Sequence, residues 1–534
     1  MKKLLVITFV LILFLGVLFA IYGKTMSAET KQPISGGVLR IIQSSGPQVL
    51  SYKPIMGPGD YVATYPGTET LVSSTSKRGA MSAGVEPVLC ESVDVNQKNL
   101  TITFKLRKGV YFHDGSELTA EVAAWNLQMC IDVKNLPYLD FYKKMEVVDK
   151  YTLVIHMTQF NNQMMPTWGW WTPMVSKKAW DQASGGDLNK GIEWARTHLV
   201  GTGPFILKEF KPDVSMTWVK NPNYWGKGRP YLDGMEFRFI RDAVTARMAF
   251  EAGQADAWNG TPAKDAKELI AKGYKQEVSW ALLPWGIWPN TANPNSKMKN
   301  KDLREAVEYA IDKNAIAKAI GHGLFKPLKS VPWEGEWGYD PNRGRPYNPE
   351  KAKALLAANG YSASNPCKVN LLLTNAFGPD MVDACTMAKR YLDAVGFEVT
   401  LDVADPGRFF GAELGRNNVP KADQDLCWYF AGGCDTNYLQ TYVRWFSTQP
   451  FNWVSFMGRT PEQKAMDVQA MGVTTIPEQI TWTGKLMDYI IGNALNIPVY
   501  AVPAYNIEHP YVHSDRYDAG LTRWQTEEVW MEKH

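Results

Sequence analysis

Two groups of ionisable side chains have the types and spacing that catalysis would need. Glu334 and Glu336 form an acidic pair, and His113 is followed directly by Asp114. Paired carboxylates serve glycoside hydrolysis, and a histidine beside a carboxylate can act as a general base. No nucleophile elbow or zinc motif accompanies either group, and a solvated loop accounts for the two glutamates. We therefore predict no catalytic residue, and an exported hydrolase of glycans or peptides stays an alternative hypothesis.

The cysteines and histidines do not suggest a metal site. The seven His are scattered, and the sequence contains no CxxC pair and no HExxH motif. Six Cys in 534 residues are too few for a disulfide framework. Cys427 with Cys434 is a candidate disulfide in an oxidising compartment, and Cys367 with Cys385 is a second one. We predict no metal and no cofactor.

Aromatic rings are the side chains best suited to binding a ligand. The chain has 20 Trp and 24 Tyr, more than core filling usually needs, and flat amphipathic rings can cover a ligand of variable chemistry. Trp168, Trp170 and Trp171 lie next to loop residues. We expect one or two of these three to face a cleft and assign Trp170 to it, although a cluster of this kind is also typical of a core.

The segment Thr101–Asn126 shows the kind of elements that would position such side chains. Apolar and polar residues alternate at its start, which predicts a strand. His113–Ser116 has the composition of a tight turn in which Asp114 bonds its own backbone. Thr119 is a suitable N-cap for a helix that begins at Ala120. The sequence therefore predicts a strand, a turn and a helix here.

Composition restricts the class of protein. With 45% hydrophobic and 21% charged residues, the chain is long enough for several cores and is not a disordered polymer. Its net charge is only +3, without the concentrated basic face that nucleic-acid binding needs. We therefore predict no nucleic-acid partner.

The N-terminus carries an export signal. Lys2 and Lys3 precede an apolar run, Leu4–Tyr22, that is long enough to span a bilayer. Met26–Ala28 is a poor cleavage site, so cleavage of this segment is left open. We expect an exported protein on the periplasmic or extracytoplasmic face of the membrane, either released or held by an uncleaved anchor.

Several motifs occur in an order that resembles one family. Leu106–Thr119 fits the pattern L-R-x-G-V-x-F-H-D-G-x-x-L-T, Val200–Phe205 contains G-T-G-P-F, and Arg247–Asp256 is similar to R-x-x-A-L-x-x-G-E-x-D. Together they resemble the family 5 extracytoplasmic solute-binding proteins, the oligopeptide- and dipeptide-binding type that serve ABC importers. The resemblance runs from about Gly37 to about Tyr500.

The resemblance implies an α/β bilobal periplasmic-binding-protein fold, in the large three-lobe variant of type II with mixed sheets and a hinge. The order strand, helix, strand over Val369–Thr374, Pro379–Val395 and Phe397–Val403 predicts parallel pairing from the residues themselves. The expected organisation is a signal peptide or N-terminal membrane anchor plus linker at 1–36, lobe I at 37–60, 195–285 and 500–534, lobe II at 61–194, and lobe III at 286–499.

Local patterns add three expectations. Gly57–Gly84 is rich in Gly, Pro, Ser and Thr, which predicts a loop with short edges. Apolar residues recur at helical spacing over Asn300–Ile320. Gly201 and Gly203 allow a tight crossing of the backbone, which resembles the return of the chain from lobe II to lobe I.

The ligand site follows from the same resemblance. Peptide-binding relatives carry a W-x-x-D-Y-x-D-P segment whose first Asp anchors the ligand's α-amino group. The corresponding stretch here has Gly432 at the anchoring position and Asp435 at the second acid. An alignment shifted by a few residues would make Asp435 the anchor, and a loop acid capping Asn437 is a further interpretation. Losing one partner of a buried ion pair costs about 2–5 kcal/mol of binding, so the site should not favour free amino termini. Stacking is then expected from Trp428, Tyr429, Tyr438 and Trp445, with Trp285 and Trp288 near the hinge.

The resemblance implies a receptor that closes two lobes around a peptide or other small solute. The closed form would be recognised by the permease subunits of an ABC transporter in the membrane, and we expect a monomer. A receptor for a sugar, aromatic or cationic solute is an alternative, because stacking suits all three. A ligand-sensing partner of a membrane receptor would use the same fold.

Overall fold

The computed structural model describes residues 32–74, 84–332, 334–374, 379–414, 423–432, 437–448, 454–514 and 524–532. Within these ranges the chain forms one eleven-stranded sheet, one four-stranded sheet and two two-stranded ribbons. The strands are β1 (Val38–Gln43), β2 (Val72–Ser74), β3 (Val85–Pro87), β4 (Cys90–Asn96), β5 (Thr101–Leu106), β6 (Tyr142–Asp149), β7 (Thr152–Met157), β8 (Phe205–Lys211), β9 (Ser215–Lys220), β10 (Gly234–Phe239), β11 (Ala257–Asn259), β12 (Lys275–Pro289), β13 (Lys326–Pro327), β14 (Cys367–Thr374), β15 (Phe397–Ala404), β16 (Leu426–Phe430), β17 (Ile497–Glu508), β18 (Val512–His513) and β19 (Trp530–Met531).

Helices flank both sheets. They are α1 (Pro58–Thr64), α2 (Ala120–Asp132), α3 (Met164–Trp171), α4 (Lys177–Ser184), α5 (Leu188–Ala195), α6 (Ala243–Glu251), α7 (Ala263–Ala271), α8 (Lys301–Ala310), α9 (Lys313–Ile320), α10 (Pro349–Ala358), α11 (Pro379–Asp393), α12 (Pro406–Leu414), α13 (Tyr438–Trp445), α14 (Pro461–Gly472) and α15 (Ile476–Gly492). Short 3-10 turns lie between them, among them Lys53–Ile55.

The four-stranded sheet is antiparallel in the order β4-β5-β7-β6. In β5 the side chains of Ile102, Phe104 and Leu106 are buried, as their alternation with polar residues predicted. This sheet and the helices α2 to α5 form the first of two bodies, which we call the small-sheet body (residues 84–198).

The predicted turn and helix after β5 are also confirmed. The Ser116 amide donates to the Asp114 carboxylate at 2.9 Å, and Gly115 has a φ of +76°. The Thr119 hydroxyl accepts from the Val122 amide at the start of α2. Local turn and capping chemistry therefore fixed this segment without help from distant residues.

The predicted tight crossing at Gly201 and Gly203 is present. A Cβ atom would lie 2.0 Å from the Gly67 carbonyl oxygen at the first position and 2.5 Å from the Gly67 carbonyl carbon at the second. His113 binds this crossing, because its amide donates to the Gly201 carbonyl at 2.9 Å and its Nε2 lies 3.0 Å from the Gly203 carbonyl oxygen. The His113 turn thus braces the backbone crossing, as a scaffold element would.

The eleven-stranded sheet runs in the order β15-β14-β16-β12-β17-β11-β1-β10-β9-β8, with β13 on β17. Two long antiparallel strands, β12 and β17, lie at its centre and join its two ends. Their pairing is irregular between Ser279 and Leu283 and again between Trp285 and Gly286. Bulges of this kind bend a sheet, so these two strands form a bent link.

The second body, which we call the α/β body (residues 290–496), is built on β14, β15 and β16. Strands β14 and β15 pair in parallel and are joined by α11, as predicted. Strand β16 is parallel to β14 and antiparallel to β12, so the α/β body continues the large sheet. The fold is an α/β bilobal architecture with mixed sheets.

One apolar core extends through both bodies. It includes Phe104 and Trp168 of the small-sheet body together with Tyr442, Phe446 and Leu486 of the α/β body, all of them buried. The two bodies are therefore in direct contact.

Three expectations were wrong. The stretch predicted as a loop contains α1, whose first turn is capped because the Gly57 amide donates to the Asp60 carboxylate at 2.7 Å. The helical repeat at Asn300–Ile320 is two helices, because Ile311 is extended and the Asp312 carboxylate caps the second one. Cys367 and Cys385 are buried free thiols and do not form a disulfide.

Other expectations concern residues outside the described ranges. They are the apolar N-terminal run, Asp435 and the partner Cys434 of the proposed Cys427 disulfide. Among the described residues, no helix combines the length and apolar character that crossing a membrane requires.

Candidate functional site

Asn162 forms a polar link between the two bodies. Its amide nitrogen Nδ2 donates to the Ala470 and Val473 carbonyls, both at 2.8 Å, and its backbone amide donates to the Met471 carbonyl at 2.9 Å. Asn162 precedes α3, whereas its three acceptors lie at the end of α14. A single side chain of the small-sheet body is thereby held against the α/β body.

Two glutamines add to this contact. Gln440 of α13 donates to the Thr167 hydroxyl of α3 at 2.6 Å, and Gln163 donates to the Gln479 carbonyl oxygen of α15 at 3.2 Å. All four side chains are buried. The interface between the bodies therefore contains specific, buried hydrogen bonds, with α3 on one side and α13 to α15 on the other.

Lys53 reaches the same interface from the segment between β1 and α1. Its neighbours are fixed to the small-sheet body: the Leu50 amide donates to the Ala195 carbonyl at 2.9 Å, and Asn135 donates to the Pro54 carbonyl at 2.7 Å. Tyr52 stacks on Trp180 with 5.4 Å between ring centroids. The backbone thus holds Lys53 in place and directs its side chain inwards.

The Lys53 ammonium lies between aromatic rings. Its Nζ is 4.1 Å from the centroid of Trp171 and 5.0 Å from that of Tyr61, and the residue is only 5% exposed. Among the described residues no carboxylate forms an ion pair with it. Burial lowers the pKa of Lys53 to about 7, the nearby Arg444 acts in the same direction, and Cys130 opposes them.

Arg444 approaches Trp171 from the α/β body. Its guanidinium carbon lies 5.5 Å from the ring centroid, and the residue is buried on α13. Two cations from different bodies therefore converge on one indole. Burial raises the pKa of both Tyr61 and Cys130, so their side chains stay neutral at neutral pH.

Four aromatic residues expected at the site do come together or lie close by. Tyr429 contacts Trp285 and Trp445, with centroid distances of 6.4 and 5.8 Å. Tyr438 begins α13, and its hydroxyl is buried without a hydrogen-bond partner among the described residues. Burial raises its pKa well above the ordinary range. Trp285, Tyr429 and Trp445 form an aromatic wall, and Tyr438 lies on the same helix as Trp445.

The other expected aromatics lie elsewhere. Trp288 stacks on Phe446 at 5.1 Å, and Trp428 lies on the opposite face of β16, 6.0 Å from Tyr500. Both tryptophans are fully buried. Trp170 is on α3 beside Trp171, at a centroid distance of 5.9 Å, and 9% exposed.

Gly432 lies two residues beyond Phe430, the last residue of the strand β16 that carries Tyr429. It has a φ of +127°, and an added Cβ would lie 3.2 Å from the Pro284 ring. The Ala431 amide donates to the Pro284 carbonyl at 2.9 Å. A side chain is therefore strained at this position, and an anchoring acid does not fit the backbone as it stands.

Sequence reasoning missed the polar part of this interface. Lys53, Asn162, Thr167 and Gln440 occur in no motif quoted for the family, and Arg444 is the single charged residue of α13. One signal was available for the lysine, because Tyr52 and Pro54 enclose it in a short segment with few other charges. Its burial depends on contacts with distant elements.

Metal-binding side chains form no candidate metal centre in the described ranges. No group of three or more His, Cys, Asp and Glu is arranged to hold a metal ion there. Glu334 is exposed, as a solvated loop residue would be.

Comparisons with known proteins define the family. A family model described as bacterial extracellular solute-binding proteins, family 5, matches residues 84–451. Heme-binding protein A of Haemophilus influenzae is 29% identical over 63% of this chain and 70% of its own length. Oligopeptide-binding protein AppA of Bacillus subtilis is 26% identical over 70% of this chain and 73% of its own.

A solved structure shares the fold. The periplasmic binding protein DppA of Helicobacter pylori, in complex with the peptide STSA, superposes with a TM-score of 0.77 at 22% identity. The superposition covers 94% of this chain and 99% of that chain.

Proposed function

Because the chain belongs to the bacterial extracellular solute-binding proteins of family 5, we propose that it is the substrate-binding receptor of an ABC importer, which takes up a peptide or similar small solute between two closing bodies. The two relatives bind heme and oligopeptides according to their names. The family consists of binding proteins, and we propose no enzymatic activity and no cofactor for this chain.

The observation that carries this proposal is the set of hydrogen bonds made by Asn162. They join the small-sheet body to the α/β body at an interface that also contains Lys53, Trp171 and Arg444. A receptor of this kind works by shifting between open and closed forms, and a ligand favours closure only if it binds the closed form more tightly. The hydrogen bonds of Asn162 stabilise the closed form.

The bent strands β12 and β17 suit a hinge. They are the strands that connect the two ends of the large sheet, and their pairing is irregular at Trp285 and Gly286. A hinge needs a few positions that absorb backbone rotation, and irregular pairing leaves such freedom. The proposed lobe boundaries at 285/286 and 499/500 fall beside this irregularity.

For the ligand site we propose the aromatic wall and the residues facing it. Trp285, Tyr429, Tyr438 and Trp445 would supply stacking from the α/β body, and Trp170 from the small-sheet body. Trp288 and Trp428 would flank the wall, because they lie on β12 and β16, the strands that carry Trp285 and Tyr429. Gly432 would leave room at the end of β16, and Asp435 remains a proposed polar contact.

We further propose that Leu4–Tyr22 directs export or anchors the chain, and that the closed monomer docks on the permease subunits of its transporter. An extracytoplasmic location agrees with the family, and the apolar run has the length that export or anchoring needs.

Replacing Asn162 tests the proposal. The ligand is the solute that the wild-type chain retains on purification, extracted and titrated back by calorimetry. Asn162→Ala should weaken binding by about 5- to 150-fold, because closure loses two side-chain hydrogen bonds of about 0.5–1.5 kcal/mol each. Asn365→Ala removes a comparable amide bond to the Gly360 carbonyl within one loop and should leave affinity unchanged. Equal affinities in wild type and Asn162→Ala would contradict closure at this interface.

A further inference from the structure

The unpaired ammonium of Lys53 is an unusual feature of the closed interface. It is 5% exposed, lies 4.1 Å from the Trp171 centroid, and forms no ion pair with any carboxylate in the described ranges. Aromatic rings attract a cation but do not neutralise it. A buried charge without a counter-ion is costly, and proteins normally pair or neutralise it.

The groups that surround this ammonium provide no counter-ion from within the described part of the chain. The groups that face it are Tyr61 of α1, Cys130 of α2, Trp171 of α3 and Arg444 of α13. Tyr61 and Cys130 stay neutral because burial raises the pKa of each. None of the four supplies a negative charge at neutral pH.

Lys53 and Arg444 approach the same indole from opposite sides of the interface. Lys53 is fixed to the small-sheet body by its neighbours, and Arg444 belongs to the α/β body. Of the groups around the ammonium, only Arg444 belongs to the α/β body, so Lys53 keeps Tyr61, Cys130 and Trp171 as neighbours when the bodies separate. An anion that entered with the solute would therefore be fully enclosed only in the closed form.

We propose that the solute of this receptor carries a carboxylate, and that this carboxylate pairs with Lys53 at Trp171 when the bodies close. The inference rests on the proposed receptor function and adds the chemical class of the solute. A single unpaired ammonium matches a singly charged group better than a doubly charged phosphate. The aromatic wall would cover the uncharged part of the solute.

The test compares wild type with two full-length variants. Lys53→Met removes the ammonium and keeps an unbranched apolar chain. Lys177→Met is the matched control, because Lys177 also lies over a tryptophan, 5.8 Å from Trp125, but its side chain is 42% exposed and paired with Asp181. Native mass spectrometry of each freshly purified protein measures the retained solute, which is then extracted, identified and titrated back.

The inference predicts that wild type and Lys177→Met retain a solute with a carboxylate, and that Lys53→Met binds it at least about 30-fold more weakly. The amide or methyl ester of that solute should bind wild type with the same loss, and Lys53→Met should no longer distinguish acid from ester. A retained solute without an acidic group, or equal affinity of Lys53→Met and wild type, would overturn the inference and leave the receptor function intact.

A second experiment applies if wild type retains no solute. The protein is then titrated with three pairs of an acid and a neutral analogue: trialanine and trialanine amide, glucuronate and glucose, and benzoate and benzamide. Binding of the acids alone, lost in Lys53→Met, supports the inference. Binding of the neutral members as tightly as the acids overturns it, and binding of none contradicts the receptor function as well.

Discussion

Replacing Lys53 should stabilise the unliganded protein. Burial is the main cause that lowers the pKa of this side chain from 10.5 to about 7. A tenfold change in proton affinity equals about 1.4 kcal/mol, so burying the charged form costs the fold about 4–5 kcal/mol at pH 6.5. The lost contacts with Trp171 and Tyr61 offset about 1 kcal/mol of this. Lys53→Met should therefore raise the free energy of unfolding by about 3–4 kcal/mol at pH 6.5.

The effect should depend on pH with a defined sign. The pKa in the folded chain lies below that in the unfolded chain, so between about pH 7 and 10.5 the unfolded chain binds more protons and wild type gains stability as the pH rises. Below pH 7 the full penalty remains. The advantage of Lys53→Met should shrink to about 1 kcal/mol at pH 9. Tyr61 and Cys130 do not interfere, because burial raises the pKa of both.

Guanidinium unfolding of ligand-stripped wild type, Lys53→Met and Lys177→Met at pH 6.5 and 9.0 measures both effects. Lys177→Met serves as the control. Its free energy of unfolding should match that of wild type within about 0.5 kcal/mol at both pH values, because the ion pair of Lys177 with Asp181 lies on the surface. A less stable Lys53→Met protein, or an advantage that is the same at both pH values, would refute the burial of an unpaired ammonium.

Two further variants test the scaffold. Gly201→Ala should destabilise the chain by more than about 3 kcal/mol in thermal or chemical unfolding, because its Cβ would lie 2.0 Å from a carbonyl oxygen. The control Gly484→Ala has nothing within 4 Å of its Cβ and should be neutral or stabilising by up to about 1 kcal/mol. Similar stabilities of the two variants would show that the crossing can relax. His113→Ala should cost about 1–3 kcal/mol through the bond to the Gly203 carbonyl and leave solute preference unchanged, and a changed preference in a competition titration would place His113 in the site.

Local sequence chemistry predicted the small-sheet body well. The strand β5, the Asp114 turn and the Thr119 cap depend on neighbouring residues, so their types specify the structure. The parallel pairing of β14 with β15 followed from the order of elements. The helix α1 was missed because Pro58 and Gly59 dominate its composition, although Asp60 was available to cap it.

The candidate site was only partly predictable for a physical reason. Aromatic residues can be chosen as candidates from the sequence alone, and Trp285, Tyr429 and Trp445 do form one wall. The burial of Lys53 is set by α1, α2, α3 and α13, which are far apart in sequence. A lysine in a connecting segment is usually solvated, so the flanking Tyr52 and Pro54 were too weak a signal to predict its burial.

The claim that this chain is a closing receptor is tested most directly by small-angle X-ray scattering on ligand-stripped protein, before and after addition of the solute that the wild type retains. A closing receptor should have a smaller radius of gyration with solute, and Asn162→Ala should respond more weakly at the same solute concentration. Identical scattering with and without a solute that calorimetry shows to be bound would contradict closure of the two bodies around it.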